Sequence, residues 1–182
     1  EMVSVGGKLA LICAVAAITL GLVNAVTAPA IVKVKEKQLA AALDTVRGNL
    51  SAGEEMQVDG NSIVRGYYPL TGSQGPAGYI LKIVGVGYGG DMELLASMAS
   101  TGEIRSITLM DNLETPGLGK EAEKSAYMEK FIGTGADRLV PMTKLQLSQN
   151  QADSISGASI TFMGIAQALE AAAEYVKNEL DN

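Results

Sequence analysis

The stretch "DSISGASITFMGIAQALE", Asp153–Glu170, opens with hydroxyls and very small side chains and then becomes a regular apolar helix pattern. Phe162, Ile165, Ala166, Leu169, Ala173, Val176 and Leu180 recur at helical spacing, which predicts a last helix from about Ile160 to Leu180 with one face docked on another layer. A single hydroxyl would cap such a helix, yet Ser154, Ser156, Ser159 and Thr161 crowd its start. The first turn of a helix presents unpaired N–H groups and a partial positive charge, so it favours an anion such as phosphate. Gly157 and Ala158 remove bulk at the same place. Ordinary capping by Ser156 explains the pattern equally well on chemistry alone.

Upstream, the pattern changes from helical to period two. Ile63–Pro69, Tyr79–Val86, Glu93–Ala99 and Ile104–Met110 read as strands; in the last, Ile107 and Leu109 alternate with Ser106 and Thr108. Thr71–Gly78, "TGSQGPAG", reads as a loop, and "STGE" as a hairpin connection. Glu121–Ile132 is a helix candidate, and a short strand is expected near Leu145. Strands first and helices at the edges predict an α+β domain on an antiparallel sheet.

Further upstream, Leu9–Val32 is a 24-residue run without a charge. At about 1.5 Å per residue, a helix of that length crosses a bilayer core of about 30 Å. A signal peptide has a shorter apolar core, about 7–15 residues, although "VTAPA" imitates its cleavage site. Leu39, Ala42, Leu43 and Val46 then mark a short amphipathic helix that Gly48 can close, and Asn49–Asn61 reads as loop. The expected organisation is an N-terminal flank 1–8, a transmembrane helix 9–32, a connecting helix 33–48 and a soluble domain 49–182.

The composition excludes several functions. The chain has a net charge of −6 and no basic stripe, which argues against nucleic acid as a partner. It has no histidine, so Ser–His–Asp catalysis and histidine metal ligation are absent. The single cysteine, Cys13, lies within the apolar run and reads as a packing residue. No catalytic side chain and no metal site are expected, and redox or transfer chemistry would have to reside on a cofactor. "GVGYGG" satisfies G-x-G-x-x-G through Gly85, Gly87 and Gly90, with Asp111 about where a ribose-binding acid would stand. No βαβ unit follows, so a turn that lets backbone approach a flat ligand is the better reading.

Three motifs carry a family resemblance, and with the N-terminal span it covers essentially the whole chain. Asp153-x-x-Ser156-Gly157-Ala158-Ser159 resembles the flavin-transfer acceptor motif of FMN-binding domains in membrane redox complexes. "GYGG", Gly87–Gly90, and "ETPGLG", Glu114–Gly119, are similar to that family's other segments and occur in the same order. The family comprises the G subunit of the Rnf ferredoxin:NAD oxidoreductase and the C subunit of the sodium-translocating NADH:quinone reductase; the compact chain resembles the first more. In it a transferase links the FMN phosphate to a hydroxyl, usually of threonine, where this chain has Ser159.

The resemblance implies an FMN-binding α+β domain in which Ser159 takes the phosphoester. Ser156, Gly157, Ala158 and Thr161 would line the phosphate end, and Tyr88, Gly89, Glu114, Thr115, Gly117, Leu118 and Gly119 would lie near the ring. It implies electron relay without independent substrate turnover, a flavin transferase for maturation, other integral membrane and redox subunits as partners, and contact with membrane lipid. It also implies a soluble domain on the extracytoplasmic face. The charge count points the other way, because Lys33, Lys35, Lys37 and Arg47 follow the span and only Lys8 precedes it. A membrane-anchored flavin sensor or assembly protein, and a flavin-free scaffold, are the other classes consistent with these residues.

Overall fold

A computed structural model describes residues 2–112, 122, 124–153 and 159–180. The chain divides into two compact units, Glu1–Ala40 and Ala41–Asn182.

The first unit belongs to α1, Met2–Arg47, a continuous helix where the sequence suggested two segments. From Leu9 to Val32 its side chains are exposed except for half-buried Ala28. The hydroxyls of Thr19 and Thr27 donate back to the carbonyls of Val15 and Val23, both at 2.8 Å. Such bonds satisfy a hydroxyl within its own helix, as an apolar medium demands. The helix is long and apolar enough to cross a membrane. That supports a membrane location for this segment.

The second unit is α+β. Its sheet is antiparallel throughout and contains β1 (Ser51–Ala52), β2 (Met56–Gln57), β3 (Val64–Gly72), β4 (Gly75–Val86), β5 (Asp91–Met98) and β6 (Ile104–Asn112). The order is β1-β3-β4-β5-β6, with β2 also paired to β3. The helical elements are α2 (Ser125–Met128), α3 (Gln149–Asp153) and α4 (Ser159–Tyr175), which ends in a π turn, Val176–Leu180.

Four local expectations need correction. Part of 49–61 is sheet, since β1 and β2 pair with β3. Thr71–Gly78 is a tight hairpin in which Gly72 faces Gly75, because cross-strand pairing carries both strands to the turn. In the 121–132 segment the described helical residues are short turns, α2 followed by a 3-10 turn at Glu129–Phe131. Leu145 lies in a 3-10 turn, Lys144–Gln146, not a strand: Gln146 Oε1 accepts the N–H groups of Met142 and Thr143 at 2.6 and 3.0 Å, closing the turn locally.

The main core lies between one sheet face and α4. Leu81 and Ile83 of β4, Leu94, Ala96 and Met98 of β5, and Ile104 of β6 cluster with Phe162, Ile165, Ala166, Leu169 and Val176. Phe131 stacks on Phe162 at 4.7 Å between ring centroids, and Tyr127 meets Phe162 edge-on at 6.0 Å. Alternation along the strands sends Tyr68, Leu70, Ile80 and Leu95 to the opposite face, where they are also buried. Ala42 and Val46, from the last turns of α1, are buried as well. Lys82, one pleat beyond Ile80, holds Glu55 Oε1 at 2.8 Å. Partial burial opposes the charge on Glu55, but hydrogen bonds from Lys82, Tyr68 and Gln57 outweigh it and hold the carboxyl below its ordinary range. Burial first, and the Glu55 carboxylate second, raise the Tyr68 hydroxyl.

Candidate functional site

Two anchors set the direction of α4 on β4. At one, Gly85 and Gly164 bring backbone against backbone. A Cβ on Gly85 would stand 2.9 Å from the Gly164 carbonyl oxygen, and one on Gly164 would collide with the carbonyl oxygen of Val86. At the other, the Tyr79 hydroxyl donates to the Leu180 carbonyl at 2.9 Å. Residue numbers rise along β4 as they fall along α4, so the helix runs antiparallel to the strand. Its first turn, with Ser159 and Thr161, therefore lies toward the same end as the β4–β5 connection Gly87–Gly90. The glycine pair is why the two elements can touch there, since any side chain would hold the helix off the strand.

The connection is closed by a 2.8 Å hydrogen bond from the Gly87 N–H to the Gly90 carbonyl, with Gly90 at φ +137°. It leads into the antiparallel strand β5, not into a helix, so it is no dinucleotide fingerprint. Tyr88 is 73 % exposed and Gly89 is exposed, both free of the core. Val86, Ile160 and Met163 are exposed apolar residues at the same end of the fold. Sequence reasoning did not single out these three, nor the isolated Gly164. The signal for Gly164 was a glycine interrupting a strong helix pattern, which usually has a packing reason.

At the start of α4, Ser159 is half-buried. Thr161 is 1 % exposed, and no hydrogen-bond partner for its hydroxyl lies among the described residues. A buried hydroxyl normally has a partner. One half-buried and one buried hydroxyl on the first turn of a 17-residue helix, beside N–H groups the helix itself does not use, make a set of donors suited to a phosphate-bearing group. Ser156, Gly157 and Ala158, and likewise Glu114, Thr115, Gly117, Leu118 and Gly119, lie outside the described residues. The structure thus brings together Tyr88, Gly89, Ser159 and Thr161 at one end of the sheet. Among the described residues there is no cluster of acids and cysteine that could hold a metal ion.

Residues 87–174, which run from this connection through most of α4, match the FMN-binding domain family. The chain is also a homologue of subunits of redox complexes. It is 34% identical over 125 residues to the G subunit of the ion-translocating oxidoreductase complex of Methanosarcina acetivorans, a match covering 68% of this chain and 64% of that one. It is 25% identical over 170 residues to the G subunit of the proton-translocating ferredoxin:NAD(+) oxidoreductase complex of Clostridium ljungdahlii, covering 93% and 88% of the two chains. The corresponding protein from the sodium-translocating complex of Acetobacterium woodii is 27% identical over 94 residues, covering 50% of this chain and 45% of that one. This chain therefore spans just under two thirds of the Methanosarcina protein and less than half of the Acetobacterium one.

Proposed function

We propose that this chain is an electron-transfer subunit of a membrane ion-translocating ferredoxin:NAD oxidoreductase, with FMN attached to the Ser159 hydroxyl through a phosphoester. The observation that carries the reading is the FMN-binding domain match over 87–174, whose two ends are the glycine connection and the hydroxyl-bearing helix packed against the same strand. The bound flavin would supply reversible one-electron redox chemistry. The chain's own residues bind and orient. Helix N–H groups and the hydroxyls of Thr161 and Ser156 would offset phosphate charge, the Ser159 oxygen would be the ester link, and Gly157 and Ala158 would leave the group room. Tyr88, Gly89 and the Glu114, Thr115, Gly117, Leu118 and Gly119 segment would border the ring. A tether suits a relay, because the cofactor cannot leave and its distance to the next centre is bounded.

On this reading the partners are the other integral membrane and redox subunits of the complex, a flavin transferase that matures the chain, and the lipid around α1. The domain from residue 49 onward is the flavin carrier, and it faces the extracytoplasmic side. The names of the relatives support the subunit role. Co-expression with a flavin transferase, followed by denaturing electrophoresis, tests the tether. The wild-type band should fluoresce and its peptide spanning Asp153–Phe162 should carry the added flavin mass. Ser159→Ala should lose both while its unfolding free energy stays within about 0.5 kcal/mol of that of flavin-free wild type. A wild-type peptide of bare mass, or a flavin found on Thr161, would overturn the assignment.

A further inference from the structure

A cavity of about 140 Å³ lies outside the glycine connection and the α4 helix, walled in part by Lys130, Thr134, Arg138, Val140, Gln146 and Gln151. Among the described residues, no carboxylate contributes to its lining. Lys130 is 8 % exposed, and its Nζ donates to the Ala126 carbonyl at 2.8 Å and lies 5.2 Å from the centre of the Tyr127 ring. An ammonium group has three protons to donate, and these contacts engage one of them and a ring face. Among the described residues, neither Lys130 nor Arg138 is ion-paired with a carboxylate. Burial lowers the Lys130 pKa, and neighbouring Glu129 only partly offsets this.

The third donor is fixed by its own turn. Gln146 uses its Oε1 on the backbone of Met142 and Thr143, which orients the amide and leaves its NH₂ as the hydrogen-bonding end. Thr134 donates its hydroxyl to the Phe131 carbonyl at 2.6 Å, so it adds no donor. Drug-sized ligands need pockets of about 300–1,000 Å³, so this one is too small for a flavin nucleotide and fits a single small anion. We infer that the cavity is a binding site for a phosphate-sized oxyanion, held by Lys130, Arg138 and the Gln146 amide. Free phosphate and the headgroup phosphate of an anionic lipid share this chemistry. The site is independent of the flavin assignment.

The test is a calorimetric titration of the full-length, flavin-loaded protein in detergent with inorganic phosphate at low ionic strength. One saturable site is expected, weakened at least tenfold in Arg138→Gln and abolished in Lys130→Met. Arg138 is exposed, so its variant keeps the fold even where the Lys130 variant does not. The Arg138-dependent component should persist in Ser159→Ala, which separates this site from the flavin tether. Repeating the titration in nanodiscs identifies the source. A loss of phosphate affinity in phosphatidylglycerol but not phosphatidylcholine discs assigns the site to a lipid headgroup, and equal affinity in both assigns it to the soluble ion. Absence of a saturable component, or equal affinity in wild type and Arg138→Gln, would overturn the inference.

Discussion

The stretch of α1 from Leu9 to Val32 and the helix α4 are both rich in alanine and poor in charge, yet nearly all of the first is exposed whereas nine residues of the second are buried. The difference lies in the arrangement of residues more than in their types. In α1 the apolar residues surround the helix, so no one face is favoured for docking on a protein layer. In α4 they form a stripe, broken on the other side by Glu170 and Glu174, and that stripe meets the sheet. The glycines follow the same division. A Cβ on Gly21 of α1 would meet nothing within 4 Å, whereas one on Gly164 of α4 would strike the Val86 carbonyl.

The comparison can be broken most forcefully at Phe162. It is fully buried between Phe131 and Tyr127, so Phe162→Ala should cost about 3–5 kcal/mol, read as a lowered unfolding midpoint of the full chain in detergent. A large-to-small truncation on α1, Leu20→Ala, should leave that midpoint almost unchanged, since Leu20 is exposed. Next comes Gly164→Ala. Its methyl group must push α4 off β4, at about 1–3 kcal/mol. If the helix start carries the flavin, the same change should also shift the flavin absorbance band. Gly21→Ala should be neutral or stabilise α1 by up to about 1 kcal/mol. A tolerated Gly164→Ala would show that the helix and strand do not make the close approach described.

The smallest effect is expected on the other sheet face. The Glu55 carboxyl is held below its ordinary range, so it stabilises the fold at pH values above that range and loses this contribution as pH falls through its lowered value. Glu55→Gln should therefore cost under about 1 kcal/mol at pH 7, because the pair is partly solvated. The gap to wild type should close in acid. A stability difference that is constant from pH 7 to pH 2 would show that the Lys82 pair contributes nothing through charge.

The sequence resolved some elements better than others, for identifiable reasons. Ile107 and Leu109 alternating with polar neighbours marked β6, because these two side chains pack on the core. Ala42 and Val46 were legible as a buried stripe from spacing alone. The hairpin at Ser73–Gln74 was hidden, since Gly72, Gly75 and Pro76 read as loop residues and only pairing across the turn makes them strand. The turn at Leu145 carried a signal that was passed over: Thr143 and Gln146 have the T-x-x-Q spacing of a helix start. At the candidate site, Ser159, Thr161, Tyr88 and Gly89 were singled out by motif, but motif gave no hint that Thr161 would be buried.

The sequence by itself determined the apolar N-terminal helix, the α+β class, the absence of histidine chemistry and the hydroxyl-rich start of the last helix. Each follows from residue type and short-range spacing, which act through local geometry and hydropathy. Only the tertiary structure decided that Gly85 and Gly164 meet, and hence that the glycine connection and the helix start share one end of the sheet. That contact joins residues almost eighty positions apart, and it depends on the packing of a whole helix against a strand, which no local pattern encodes.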